Sequence, residues 1–152
     1  MITIEATNSN YVNPLFRFVT PEAVALLLKI PVEQIKKIRC WPHVILVISE
    51  HLVRFVSYAD LPPILDAEPP TDKDTLTWRK RWRKLKTYKA PTFWQDFYTQ
   101  KYKQATNKGT LLGWQEIVNK IKFAFSNKSI QALNSVFQET YNHHLFYQHS
   151  LS

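Results

Sequence analysis

The residues best suited to chemistry in this chain are cations and hydrogen-bond donors. What they suit is recognition of a polyanion, not the making or breaking of bonds. Glu33, Gln34, Lys36, Lys37 and Arg39 crowd one short segment. A glutamine can bond two atoms of the adenine edge, a lysine reaches guanine acceptors or phosphate, and a glutamate accepts from cytosine. His51 and Arg54 follow, placed to touch flanking backbone or a minor groove. Arg79, Lys80, Arg81, Arg83 and Lys84 form a denser cluster, suited to clamping phosphates and so to giving affinity without sequence choice. The alternative for every one of these side chains is a solvated surface position.

Charge placement supports the same chemistry. The net charge is +8, but residues 1–71 carry −1 and residues 109–152 carry +1, so the whole excess falls between 72 and 108. Such concentration marks a polyanion-facing surface. Enzyme-like patterns are missing. No Ser/His/Asp, Cys/His or paired-carboxylate constellation stands out. The two glycines, Gly109 and Gly113, exclude a glycine-rich phosphate loop. The chain is therefore expected to be no enzyme, to need no cofactor and to show no small-molecule effector site. His143, His144 and His149 lack nearby carboxylates or a second cysteine, so no metal site is expected. The lone Cys40 cannot form an intrachain disulfide and fits a reducing compartment as a small buried side chain. No basic segment precedes an apolar run at the N-terminus, and no apolar run is long enough to span a bilayer. A cytoplasmic protein with no membrane partner is expected.

The elements that must hold these residues can be read along the chain. Thr20 is an N-cap, Pro21 suits the first helical position, and Val24, Leu27 and Leu28 make one apolar stripe. Pro31 opens a second short helix with Val32, Ile35 and Ile38 inward, closed by Pro42. His43 to Ile48 is a β-branched strand, Ser49-Glu50-His51 a turn, and Leu52 to Val56 the returning strand. Ser57 and Asp60 cap a further helical turn. Two short helices and a hairpin in this order make a winged helix-turn-helix, whose second helix would enter the major groove. Pro62 to Thr71, with four prolines, reads as a linker.

Beyond it the chain reads as helical. Thr71 caps a helix with Trp78, Trp82 and Leu85 on one side. Those tryptophans could stack on single-stranded bases, although their helical spacing favours core packing. Further helices run from Thr92 to Ala105 (Phe93, Trp94, Phe97, Tyr98 inward), from Thr110 after an Asn107-Lys108-Gly109 turn (Leu111, Trp114, Ile117, Val118, Ile121), and from Ser129 (Ile130, Leu133, Phe137, Tyr141, Leu145). Leu133, Phe137 and Tyr141 are candidates for a dimer interface.

The N-terminal part resembles the DNA-binding domain of the MerR and excisionase families. Thr20-Pro21-Glu22-Ala23-Val24-Ala25-Leu26-Leu27 fits their "tpeEaAeLL", Ile30 to Lys37 their second segment, and Val53-Arg54-Phe55-Val56-Ser57-Tyr58-Ala59-Asp60-Leu61 their "vRfsesDL". The chain has Lys29 where members carry the turn glycine, so a left-handed or extended lysine must serve. Pro31 stands where they carry a serine cap. With its helical tail the chain is similar to the MerR-like repressors encoded beside type V-K CRISPR-associated transposons. The resemblance implies a homodimeric repressor that reads a palindromic operator in double-stranded DNA and controls transposon promoters. An excisionase-like architectural factor for recombination and an RNA- or protein-binding adaptor are the alternatives. The expected fold is mainly α with a small β-hairpin wing, an α+β class. It comprises a winged helix-turn-helix over 1–61, a linker over 62–71 and a basic, aromatic helical module over 72–152.

Overall fold

The computed structural model describes residues 2–7 and 11–151, with side chains described as far as residue 144. The chain is mixed α+β. A four-stranded sheet is built from β1 (Thr3–Ala6), β2 (Ile35–Cys40), β3 (Ile45–Ser49) and β4 (Val53–Val56). The strands lie in that spatial order, β1–β2 parallel and the rest antiparallel. The helices are α1 (Pro21–Leu28), α2 (Asp72–Lys84), α3 (Phe93–Gln104), α4 (Lys108–Lys120) and α5 (Asn127–Leu151), with short 3-10 turns between elements.

Several expected elements form where local chemistry placed them. The Thr20 hydroxyl accepts from the Ala23 N–H at the start of α1, with Pro21 at the first turn. Lys29 ends that helix at φ 59°, ψ 44°, the left-handed conformation the missing glycine requires of it. The β3–β4 hairpin closes through the Ser49 N–H to the Leu52 carbonyl at 2.9 Å. Ser57 caps the turn Tyr58–Asp60. Thr71 and Asp74 form a reciprocal capping box on α2.

The second helix does not form. Val32–Gln34 is a single 3-10 turn, and Ile35–Cys40 is the strand β2. A winged helix-turn-helix is therefore not confirmed. One extra residue accounts for the helical appearance of the sequence. Between Ile35↔Ser49 and Lys37↔Ile48, β2 advances two residues while β3 advances one. This bulge puts Ile35 and Ile38, three apart, on the same buried side, which mimics helical spacing. The strand is further held by β1, whose Thr3 to Ala6 pair with Lys37 to Cys40. No local signal announces that long-range pairing. Smaller corrections follow from capping. Asn107 is the N-cap of α4, accepting from the Thr110 N–H, and belongs to no C-terminal turn. Ser126, not Ser129, caps α5, accepting from the Ser129 N–H at 3.1 Å. Leu85 lies past the end of α2 and is exposed.

The proline-rich segment is packed. Leu61, Pro62 and Pro63 are buried, and the Tyr98 hydroxyl donates to the Pro63 carbonyl at 2.7 Å. Buried residues of both halves form one cluster, from Phe18, Val24, Ile38 and Val47 through Trp78, Trp82 and Trp94 to Leu133. The Trp94 indole donates to the Asp60 carbonyl at 2.9 Å, and the Phe18 ring stacks at 6.2 Å from Trp78.

An ion pair ties the N-terminal part to α2. The Arg17 guanidinium bonds both Asp74 oxygens and donates to the carbonyls of Pro14, Glu68 and Pro69. Burial alone would raise the Asp74 carboxyl, but the hydrogen bonds from Arg17 and Thr71 and the Arg17 charge hold it below its ordinary value. Asp74→Asn keeps the capping geometry and removes the charge. It is expected to cost about 3 kcal/mol, the lower end for a buried pair because Arg17 keeps its carbonyl acceptors. Because the folded carboxyl is depressed, its stabilisation is complete above the unfolded value of about 4 and is lost as pH falls through the folded value. The difference in thermal midpoint between wild type and Asp74→Asn should narrow in acid. A constant difference from neutral pH down to about pH 2 would contradict the charge-based account.

Candidate nucleic-acid interface

Helix α2 carries cations on one side because its other side is fixed by tryptophan. Trp78 and Trp82, four residues apart, stack with centroids 6.4 Å apart and rings within 9° of parallel. Both meet Trp94 edge-on, at 5.8 and 5.3 Å, and both lie against Phe123. They are 0% and 1% exposed, so they belong to the core and present no face to a base. With that side locked, Arg79, Lys80, Arg83 and Lys84 project into solvent. No carboxylate occurs in the sequence between Asp74 and Asp96 to neutralise them.

The five clustered cations do not have equal freedom. The Arg79 guanidinium lies over the Phe123 ring at 4.6 Å, which orients it. Arg81 turns inward, its Nη2 at 3.4 Å from Asp60 Oδ2, so it is committed to a structural pair rather than offered as a phosphate contact. Burial raises the Asp60 carboxyl above its ordinary value, and Arg81 offsets only part of that rise. Lys80, Arg83 and Lys84 have no ion-pair partner among the described residues. Lys80 and Lys84 line an open groove of about 240 Å³ beside α2, whose other wall carries His43, Ser57 and Tyr58. The Ser57 hydroxyl, an imidazole and two free ammonium groups on one concave strip can hold a phosphate backbone.

The N-terminal candidates are arranged otherwise. Glu33 and Gln34 lie in the 3-10 turn before β2, where the Gln34 backbone is bonded to Pro31 and Glu50. Lys36 is the exposed bulge residue. Lys37 and Arg39 point from β2 to the face of the sheet opposite the core, and each lies 3.5 Å from a Glu5 oxygen on β1. Their neighbours on that face are Leu46, Ile48, Val53 and Phe55, a surface with little free charge. His51 sits at the hairpin tip, 3.8 Å from Glu50, and Arg54 is exposed on the edge strand β4. These residues share no helix: they are divided among the 3-10 turn, β2, the hairpin tip and β4.

The proposed dimer residues are also placed differently. Leu133 is 0% and Phe137 8% exposed. Phe137 packs between Tyr102 at 5.6 Å and Tyr141 at 5.7 Å, and the Lys108 ammonium lies over Tyr141. Leu133 and Phe137 are taken up by the chain's own α3–α5 packing, and Tyr141 is half-buried. His144 Nε2 is 2.9 Å from the Ala105 carbonyl, and the side chains of Leu145 and His149 lie outside the described residues. Among the described residues no three His, Cys, Asp or Glu side chains are grouped to hold a metal. No helix among them is long and apolar enough to cross a membrane.

Sequence reasoning missed the turn after α2, where Lys86 and Tyr88 adopt φ 61° and 59°. The signal was available: a basic helix followed by Leu-Lys-Thr-Tyr-Lys with no glycine or asparagine to end it. Compared with protein-family models, with curated proteins and with solved structures, the chain matches none.

Proposed function

We propose that this protein binds nucleic acid through its phosphate backbone, using the exposed face of α2 and the turn that follows it. One observation carries the proposal. Lys80, Arg83 and Lys84 stand free of carboxylates on a helix whose opposite side is anchored by Trp78 and Trp82. A rigid row of unpaired cations releases counterions when it meets phosphates, and that release is the dominant source of affinity in such contacts.

The duplex-specific repressor and the excisionase-like factor both depended on a base-reading helix over residues 32–39, and that segment is a turn and a strand. The adaptor alternative, in which the basic helix is the working surface, is the one this geometry favours. The test is binding of the full chain to a labelled single strand of about 20 nucleotides and to the matching duplex, over roughly 50 to 200 mM salt. For four or five phosphate contacts, the logarithm of affinity for the single strand should fall with the logarithm of salt at a slope of about −3. Salt-independent binding, or none at low salt, would overturn the proposal. Strong preference for one duplex sequence would restore the regulator.

A further inference from the structure

The turn that ends α2 spends conformational energy where the sequence had an easy alternative. Helices commonly end on a left-handed glycine or asparagine, residues that adopt positive φ with little or no penalty. Here two such positions within three residues are filled by Lys86 and Tyr88, at φ 61° and 59°. The turn is nevertheless tightly held. The Lys86 N–H donates to the Arg83 carbonyl at 3.0 Å, and the Thr87 and Tyr88 N–H groups donate to the Trp82 carbonyl at 3.0 and 3.2 Å. The Thr87 hydroxyl donates to the Lys89 carbonyl at 3.1 Å, and the Lys89 ammonium to the Phe123 carbonyl at 3.1 Å. The Ala90 N–H closes onto the Ala124 carbonyl at 2.9 Å. Backbone strain maintained by a hydrogen-bonded surround is a pattern found at ligand-binding segments.

The side chain on that turn is a tyrosine with no ring partner and no hydroxyl partner among the described residues. Tyr88 is 63% exposed. Tyr58 and Tyr98 use their hydroxyls on backbone carbonyls, and Tyr11, Tyr102 and Tyr141 pack against other rings. Among the described tyrosines, Tyr88 alone does neither. It stands between Lys86 and Lys89, directly beyond Arg83 and Lys84. An exposed ring on a hydrogen-bonded turn that directly follows the free cations Arg83 and Lys84 in the chain offers the two parts by which single strands are held: cations for the phosphates and a ring for a base.

We propose that Tyr88 is a stacking platform for an unpaired base, so that the ligand of the α2 face is a single-stranded nucleic acid. This rests on the nucleic-acid reading above and narrows it. A base inside a duplex has both faces covered by its neighbours and cannot stack on Tyr88, so the ring contributes nothing to binding along a duplex.

The test uses the full chain as wild type, Tyr88→Gly and Tyr88→Trp. The probes are labelled oligothymidine, oligouridine and an abasic strand of equal length. Tyr88→Gly should raise the thermal midpoint by relieving the left-handed strain. It should also weaken binding to the base-bearing strands by about tenfold. Affinity for the abasic strand should stay within about twofold, because its phosphates are unchanged. Tyr88→Trp should restore base-bearing affinity. Equal loss on base-bearing and abasic strands, or no loss on either, overturns the platform while leaving phosphate binding standing. Failure of the wild type to bind any of the strands, base-bearing or abasic, overturns the nucleic-acid proposal itself.

Discussion

Replacing Lys80, Arg83 and Lys84 together by glutamine will lower affinity for a single-stranded oligonucleotide on the order of 10²-fold near 0.1 M salt. Each lysine or arginine that meets a phosphate releases about 0.7 of a counterion from a single strand. Three lost contacts should therefore flatten the salt slope by about two units, and this change identifies the mechanism more surely than the affinity itself. Glutamine is chosen because it keeps helix propensity close to that of lysine and arginine. The fold should survive because none of the three side chains carries an ion pair among the described residues. The matched control is Lys37→Gln with Arg39→Gln. Those cations share Glu5 at 3.5 Å and face an apolar sheet surface, so binding should change little. If the sheet pair costs more than the α2 triple, the interface lies on the sheet and the assignment to α2 is wrong.

Trp94→Ala will destabilise the protein by about 4 kcal/mol, a large part of the 5–15 kcal/mol typical of a folded domain. Trp94 is fully buried where three parts of the chain meet. Its ring is the edge-on partner of both Trp78 and Trp82, and its indole N–H satisfies the Asp60 carbonyl after the sheet. Truncation leaves a cavity under α2 and an unpaired carbonyl at the junction of the two halves. Because Phe18, Trp78 and Trp94 belong to one cluster, far-UV and near-UV circular dichroism should lose signal at one common temperature. The midpoint should fall by about 10 °C or more. Two separated transitions would show that residues 1–61 and 72–152 fold independently, as the sequence division into modules implies. Trp94→Phe should cost roughly half as much, since it keeps most of the apolar volume and loses the hydrogen bond.

Much of the helical framework was legible because its signals are local. Thr20-Pro21 starts α1, Thr71 and Asp74 close a capping box on α2, and Leu111, Trp114, Ile117, Val118 and Ile121 repeat at helical intervals and are all buried. The hairpin was legible for the same reason, with apolar legs around a polar tip. The charge asymmetry that points to α2 is a property of composition alone.

The segment from Val32 to Cys40 was misread because its decisive partners are remote. Ile35 and Ile38 satisfy a helical stripe and a bulged strand equally well, and local pattern cannot separate the two. The choice was made by β1, which lies about thirty residues upstream and pairs along the free side of β2. Backbone hydrogen bonds to two neighbouring strands outweigh a short helix that would bury only one stripe. The same dependence governs the candidate site. Sequence by itself determined that a cation-rich, tryptophan-bearing helix exists and where it begins. Only the tertiary structure decided which cations remain free, because Asp60 claims Arg81, Glu5 claims Lys37 and Arg39, and Trp94 sets the rotation that turns Lys80, Arg83 and Lys84 outward.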